Sequence, residues 1–443
     1  MSEQTTQTIA YKKFKSIPTP SWYYLAKNTK RNRLELQVEL LKDFGPIVRL
    51  PSLTPTFIIN HPDYVKHILL SHHTNYIKSD ENYAGITEAL GPSIVTNNGD
   101  EWKNQRHSLS SFFHPQHIHT HYTSLIQAEA TALRSRIQRY ADNEQLINLT
   151  LETRISLIRL AGKLFLSSEL DSVFIKQLID LSKSMNFYVG KGRQYLNYIP
   201  IPSTIQLRLL KRKVDRHLRS LVFRRRKEKN PPQDLLTQLL LFRDKNHYGL
   251  NETQLLGELK TILTANHESL THALSWTMYE LIRHPDILQT VKDELSYKQE
   301  KKSYPYLKQV IEESLRLNPP AWITTRTAVS SDDLDGYFIP AGSKILICSY
   351  AIHRHPAYWS NPDAFDPSHF SEANKKEHVR FSYFPFGGGP RMCIGSYFAM
   401  HIAELFLQAL LPYFNFEIMN KGIEPEIRIT LGIKNGLLLR VTS

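Results

Sequence analysis

Apolar residues recur every three or four positions over 100–113, 125–140 and 234–243, which predicts amphipathic helices in those stretches. Strand-like runs are fewer and shorter. Residues 47–50 with 56–59, and 336–339 with 344–347, predict two strand pairs, the second joined through a turn at Pro340-Ala341-Gly342. The longest periodic stretch, 254–283, contains no proline and stops at His284-Pro285; as a helix it would run roughly 45 Å. Leu255, Leu259, Ile262, Leu263, Leu274, Trp276, Met278 and Leu281 spread round its circumference, so burial on most sides is expected. Its middle, Ala265-Asn266-His267-Glu268-Ser269, is nevertheless polar. Burying a carboxylate with an amide and a hydroxyl costs several kcal/mol unless partners or a water-filled cavity receive them, which marks this segment as a functional cluster. The pattern predicts a mainly α fold with a small β region and one long central helix.

With 443 residues and 41% hydrophobic composition the chain has ample material for a core. Neither a repeat nor a low-complexity linker divides it, so a single domain over 1–443 is expected. Residues 1–16 read as a flexible N-terminal segment, with Ile17-Pro18-Thr19-Pro20 stiffening the entry to the globular body. The two cysteines, Cys348 and Cys393, cannot form a disulfide framework, and the polar start MSEQTTQTIAYKKFK lacks the apolar segment of a signal peptide. A reducing, cytoplasmic setting is therefore expected. No apolar run reaches the length of a spanning helix, so a soluble protein without a transmembrane anchor is expected. The formal charge of +13 favours acidic partners. Its basic residues are scattered, and the densest run, Arg224-Arg225-Arg226-Lys227, reads as a solvated helix end; no nucleic-acid module is recognisable.

One loop concentrates the chemistry. Phe386-Gly387-Gly388-Gly389-Pro390-Arg391-Met392-Cys393-Ile394-Gly395 sets a single cysteine among glycines. A metal-bearing thiolate needs backbone donors close to sulfur; Gly389 and Gly395 would permit that approach, and Arg391 offers a cation for an anionic group. A phosphate-cradling loop would close on Lys-Ser or Lys-Thr, and this one does not. A zinc site would need further soft or imidazole ligands at short spacing, and these are missing. A buried, inert cysteine in a glycine-rich turn stays open on the loop alone. At every defining position Phe386-x-x-Gly389-x-Arg391-x-Cys393-x-Gly395 resembles the haem-ligand loop of the cytochrome P-450 family, in its soluble bacterial type.

Three further motifs resemble that family in chain order. Trp102 and Arg106, one helical turn apart, resemble its Trp-x-x-x-Arg contact to a haem propionate; Arg326 and Arg391 are matching candidates. Ala265-Asn266-His267-Glu268-Ser269 resembles the oxygen-activating Ala-Gly-x-Glu-Thr run, with Glu268 in the acid place and Ser269 in the alcohol place. Asn266 departs from the usual glycine and Ser269 from the usual threonine, which keeps the hydroxyl and loses the methyl that restricts χ1. An alternative for Ser269 is a bond back to the carbonyl four residues earlier. Glu313 and Arg316 resemble the family's Glu-x-x-Arg pair, which as a bare surface pair would mean little. In Phe365-Asp366-Pro367-Ser368-His369-Phe370, His369 holds the place of the third partner, usually an arginine, and adds a titratable group.

The resemblance, running from about Ile17 to the C-terminus, implies haem b held between the long helix and the cysteine loop, its iron ligated by Cys393. It implies a monooxygenase that inserts one atom of O2 into a lipophilic small molecule by hydroxylation or epoxidation, with thiolate donation favouring O–O cleavage and Glu268 and Ser269 relaying protons through water. The substrate pocket is expected from Tyr83, Ile86, Leu90, Ile94, Ala265, Asn266, Leu270 and Ile323. No flavin or nicotinamide site is recognisable, so electrons are expected from an acidic ferredoxin or flavodoxin with its reductase, met by Lys103, Lys375, Lys376 and Arg380. The alternatives are a haem-thiolate isomerase or dehydratase, which the Asn266 and Ser269 departures keep open, a peroxide-driven peroxygenase, and a non-catalytic haem sensor.

Overall fold

The computed structural model of the protein describes residues 14–28, 33–190, 201–243, 249–297 and 304–443. The longest of its helices is Glu252–Arg283. Asn251 caps it reciprocally: its side chain accepts from the Gln254 N–H at 2.9 Å, and its own N–H donates to Gln254 Oε1 at 3.0 Å. At the other end the helix stops at His284, because Pro285 disfavours helical backbone in the residue before it. Helix Leu149–Leu166 packs along it, and helices Asp80–Leu90, Ser172–Gly190, Pro202–Lys227, Pro305–Leu317 and Ser396–Leu410 enclose it further. The expected helices are present as Gly99–Ser110 with a 3-10 turn at Ser111–Phe113, Thr123–Asp142, and Leu235–Leu241 capped by Asp234.

One crossing fixes the geometry above the central helix. A Cβ on Gly257 would stand 2.1 Å from the Pro92 carbonyl oxygen, and Gly91, at φ +95°, passes over the same point. Only glycine at 257 lets the two backbones meet there. The chain leaving helix Asp80–Leu90 is thereby aimed down the side of the central helix.

The main sheet has five strands in the order Ile47–Leu50, Thr56–Ile59, Lys344–Ile347, Thr324–Ala328, Tyr76–Ile77. The first pair is the antiparallel hairpin the sequence predicts, in register Ile47 to Ile59. The second predicted pairing is not formed. Lys344–Ile347 runs parallel to Thr56–Ile59 and antiparallel to Thr324–Ala328, while Tyr337–Ile339 forms its own hairpin with Asp332–Leu334. The reason lies in Asp335-Gly336, both at positive φ (54° and 83°), a tight turn whose twist suits a two-residue hairpin. Gly342, at φ +76°, redirects the chain to the larger sheet.

Two expectations need correction at the periphery. Residues 1–13 lie outside the described residues, but 14–16 are tethered: the Lys15 N–H donates to Gly336 O at 2.8 Å and its ammonium pairs with Asp335 at 3.1 Å. Within the basic run, Arg225 is buried rather than solvated, bonded to Asp234, to Thr237 Oγ1 at 2.8 Å and to Leu166 O at 2.8 Å. Its neighbours Arg224, Arg226 and Lys227 are exposed as expected. No described helix is long and apolar enough to cross a membrane.

Candidate active site

A cavity of about 430 Å³ lies between the central helix and the 386–395 loop. Cys393 is on its wall and keeps exposed surface there, and its N–H is fixed to Phe386 O at 2.9 Å. Burial pushes the thiol pKa up, opposed by a hydrogen bond from the Gly395 N–H and by the charges of Arg106 and Lys78. Burial outweighs these three influences in the free thiol, but each would stabilise sulfur as an anion once it is ligated. Cys348 also has backbone hydrogen bonds and an arginine charge, from Arg354, yet it is fully buried away from the cavity, its thiol is pushed up to about 12, and its Sγ donates to Trp322 O at 3.4 Å. The glycines serve differently from expectation. Gly395 contributes its N–H and leaves room for a Cβ, whereas a Cβ on Gly389 would stand 1.9 Å from Leu69 O. Gly389, at φ +66°, therefore seats the loop on the neighbouring backbone rather than on sulfur.

Cations gather on the same cavity. Arg106 donates to Met392 O at 2.8 Å, tying helix Gly99–Ser110 to the residue before the cysteine. Arg391 donates to Asn97 O at 2.7 Å and lies 3.9 Å over the Trp102 ring. Arg326 donates to Thr325 O at 2.7 Å, and Lys78 to Val95 O at 2.8 Å. All four cations and Trp102 line the cavity, and no acidic residue among the described residues does. Burial, with the Arg326 charge beside it, lowers Arg391 to about 10, and burial with Arg326 and Arg391 drives Lys78 well below its usual value. Such clustered, mutually repelling cations suit an anionic ligand, and two propionates answer that requirement; with the Cys393 thiol and the apolar walls, the residues present fit haem. Lys78 was missed by sequence reasoning, since one lysine among many carries no local signal.

Opposite lies the polar middle of the central helix. Ala265, Asn266, Ser269 and Leu270 line the cavity, as do Ile94 and Ile323. The Ser269 hydroxyl donates to Ala265 O at 3.0 Å, the back-bonded alternative, while its surface stays open to the cavity. Glu268 is not on the cavity. It faces helices Leu149–Leu166 and Ser172–Gly190, where Oε1 accepts from Asn186 Nδ2 at 2.8 Å, Arg154 stands 3.6 Å from Oε2, and His272 Nε2 stands 3.5 Å from Oε1. Burial alone would raise its pKa, but the His272 hydrogen bond and the Arg154 charge outweigh that and hold it well below the usual carboxylate range. The lining positions 261, 262, 265, 266, 269, 270 and 273 form one arc of the helix, and at about 100° per residue Glu268 falls outside that arc, where Arg154 and Asn186 meet it.

Tyr83, Ile86 and Leu90 are also not among the lining residues. All three belong to helix Asp80–Leu90: Ile86 and Leu90 pack into the main core, Tyr83 lies under the ammonium of the cavity-lining Lys78, 5.2 Å from its ring centroid, and past Gly91 the chain lines the cavity at Ile94. Phe113, Phe165 and Thr261 line it without having been singled out.

Behind the loop, Arg316 and Glu313 form a fully buried bidentate pair with both contacts at 2.7 Å. Arg316 also donates to the carbonyls of His353, Pro362 and Ala364. His369 completes the group, with Nδ1 3.1 Å from Glu313 Oε1 and Nε2 2.8 Å from Ser360 O. Both nitrogens face acceptors, so imidazolium fits best, and the Glu313 hydrogen bond raises the pKa against burial. His353, unremarked in the sequence, carries the connection onward. Its Nδ1 faces Arg316 O at 3.2 Å and its Nε2 accepts from the Phe384 N–H at 3.0 Å, two residues ahead of the cysteine loop. Those two contacts suit a neutral ring, and burial lowers its pKa to about 3.

A helical protein that presents one thiol to an apolar cavity beneath a cluster of cations is built as a haem-thiolate protein. The comparisons with known proteins agree. The family model described as Cytochrome P450 matches residues 17–440. "Putative cytochrome P450 132" of Mycobacterium tuberculosis is 27% identical over 409 residues, covering 86% of each chain. "Cytochrome P450 4F11" of Homo sapiens is 28% identical over 430 residues, 88% of this chain and 81% of that one. Among solved structures, the cytochrome P450DA heme domain superposes with a TM-score of 0.84 at 20% identity, over 97% of this chain and 98% of that one. A 6-coordinated cytochrome P450 from Thermus thermophilus gives 0.74 at 23% identity, over 93% and 98%. The chain belongs to the cytochrome P450 family. It is a haem-thiolate monooxygenase, and its cofactor is haem b ligated by cysteine.

Proposed function

We propose that the protein hydroxylates or epoxidises a lipophilic small molecule bound against Ile94, Ala265, Leu270 and Ile323, with electrons from a separate acidic ferredoxin or flavodoxin. The observation that carries this reading is the cavity that joins Cys393 and the cation cluster to the polar middle of the central helix. Haem b, when bound, supplies the activation of O2. Cys393 would ligate its iron, with the Gly395 N–H moderating the charge on sulfur, and Lys78, Arg106, Arg326 and Arg391, with Trp102, would hold its propionates. Ser269 presents its hydroxyl oxygen to the cavity and would relay a proton by rotating its own away from Ala265 O, and Glu268, held behind it by Arg154 and His272, acts from outside the cavity rather than on the substrate. The formal charge of +13 supports an acidic electron donor. Lys376 and Arg380 are exposed and available to it, while Lys103 and Lys375 meet Asp100 and Glu312 in exposed or half-exposed pairs that exchange at little cost. The two unpaired cysteines suit a reducing compartment.

The test is the absorption spectrum of the dithionite-reduced protein with carbon monoxide. A strongly red-shifted Soret band, absent in Cys393→Ala and kept in Cys348→Ala, is expected. An unshifted band in the parent would remove the basis for every role given above.

A further inference from the structure

Asn266 stands where a bare helix turn would leave the cavity wall without a side chain. Its Nδ2 donates to Leu157 O on the neighbouring helix at 3.0 Å. Because a carbonyl can only accept, this bond settles which end of the amide is nitrogen. Oδ1 has no partner among the described residues, and unlike the sealed hydroxyl of Thr261 nearby it is not among the buried unsatisfied atoms. The residue is half-buried and lines the cavity, so the remaining surface of the amide faces that space. Three positions on, and therefore on the same helix face, is Ser269, whose own proton is already given to Ala265 O. Two oxygens on this stretch of wall are thus free to accept, the Ser269 proton is directed at Ala265 O, and the one donor left to the amide is its second Nδ2 hydrogen.

We propose that Asn266 is a specificity-determining residue: its clamped amide presents Oδ1 as a fixed acceptor, and the cavity selects lipophilic substrates that carry a hydroxyl or N–H group over pure hydrocarbons and ethers. The clamp matters because an oriented amide loses little freedom when it accepts a bond, and because a donor-less ligand would leave Oδ1 desolvated and unpaired. The surrounding lining, Ile94, Ile262, Leu270 and Ile323, offers only apolar contact to the rest of such a molecule. This inference rests on the monooxygenase reading and deepens it by naming a substrate class.

The experiment is a spin-state titration of the haem-loaded protein with linear alcohols from octanol to tetradecanol and with methyl ethers of matched heavy-atom number. One hydrogen bond corresponds to about a five- to tenfold preference, which is expected for alcohol over ether in the parent at the best-fitting length, and a several-fold smaller ratio is expected in Asn266→Ala, where only the Ser269 oxygen is left to accept. The ratio is the readout, since a merely structural role would weaken both ligands together. A second variant, Asn266→Gly, removes the same acceptor through a different backbone and is expected to agree. A parent that binds no alcohol more tightly than its ether, whether both bind or neither does, overturns the proposal, as does a preference undiminished in both variants. The reduced carbon monoxide spectrum of the same samples separates this failure from failure of the haem-thiolate reading.

Discussion

Glu258 is a carboxyl buried one wall away from the cavity with no cation beside it. Its Oε1 accepts from the Ile94 N–H at 2.8 Å, Oε2 has no partner, and burial pushes the pKa up to about 8 against that single hydrogen bond. The folded protein therefore holds this proton up to about pH 8, whereas the unfolded chain releases it near 4.5. Between those values the unfolded state binds fewer protons, so the contribution of this group to stability falls as pH rises. Glu258→Gln keeps an acceptor for Ile94 and removes the titration. Its urea midpoint is expected to overtake that of the parent progressively from pH 6 to pH 9; a difference that does not change with pH would contradict the assignment. Glu268, one of the same helix's other buried carboxyls, escapes this fate only because Arg154 and His272 reach it. Two buried glutamates ten residues apart thus end in opposite protonation states, because His272 one turn on and Arg154 of the neighbouring helix reach Glu268 while Glu258 meets only the Ile94 N–H.

At the level of elements, the lock formed by helix Pro305–Leu317 and the 3-10 turn Pro367–Phe370 depends on a charged His369. Its pKa is raised by Glu313, so the stabilisation is complete below the ordinary histidine value near 6.5 and is lost as pH climbs through the raised value. His369→Arg supplies the same two donors without a titrating proton. Thermal melts are expected to show the parent losing stability from pH 6.5 upward more steeply than this variant, and equal slopes would show that His369 carries no linked proton. Because Arg316, His353 and Phe384 lead from this lock to the cysteine loop, the red-shifted carbon monoxide band is expected to decay over the same pH range in the parent and later in the variant. The strands at this scale show the limit of local reading: Tyr337–Ile339 and Lys344–Ile347 are both strands, but the Asp335-Gly336 turn claims the first for a hairpin that apolar alternation alone did not distinguish.

For the whole molecule, an excess of 55 basic over 42 acidic residues makes encounter with an acidic donor sensitive to screening. The rate of reduction by an acidic ferredoxin is expected to fall several-fold between about 0.05 and 0.5 M salt, while reduction by dithionite in the same buffers changes far less; equal responses would remove the electrostatic encounter. The sequence by itself determined the helical class, the extent of the central helix, the first hairpin and the identity of Cys393, because periodicity, capping residues, proline stops and a glycine-framed cysteine act within a few residues of chain. It also singled out Trp102, Arg106, Glu313, Arg316 and Arg391; of their contacts only the Glu313–Arg316 pair follows from spacing within a motif, while Arg106 meets Met392 O and Arg391 meets Asn97 O and the Trp102 ring across nearly 300 residues. Only the tertiary structure decided that Ser269 and Asn266 line the cavity while Glu268 does not, that Ile86 and Leu90 are spent in packing, that Lys78 lines the cavity above Tyr83, and that His353 joins Arg316 to Phe384. Those outcomes depend on which surface a second element covers, and covering is set by contacts between residues hundreds of positions apart, which no local pattern encodes.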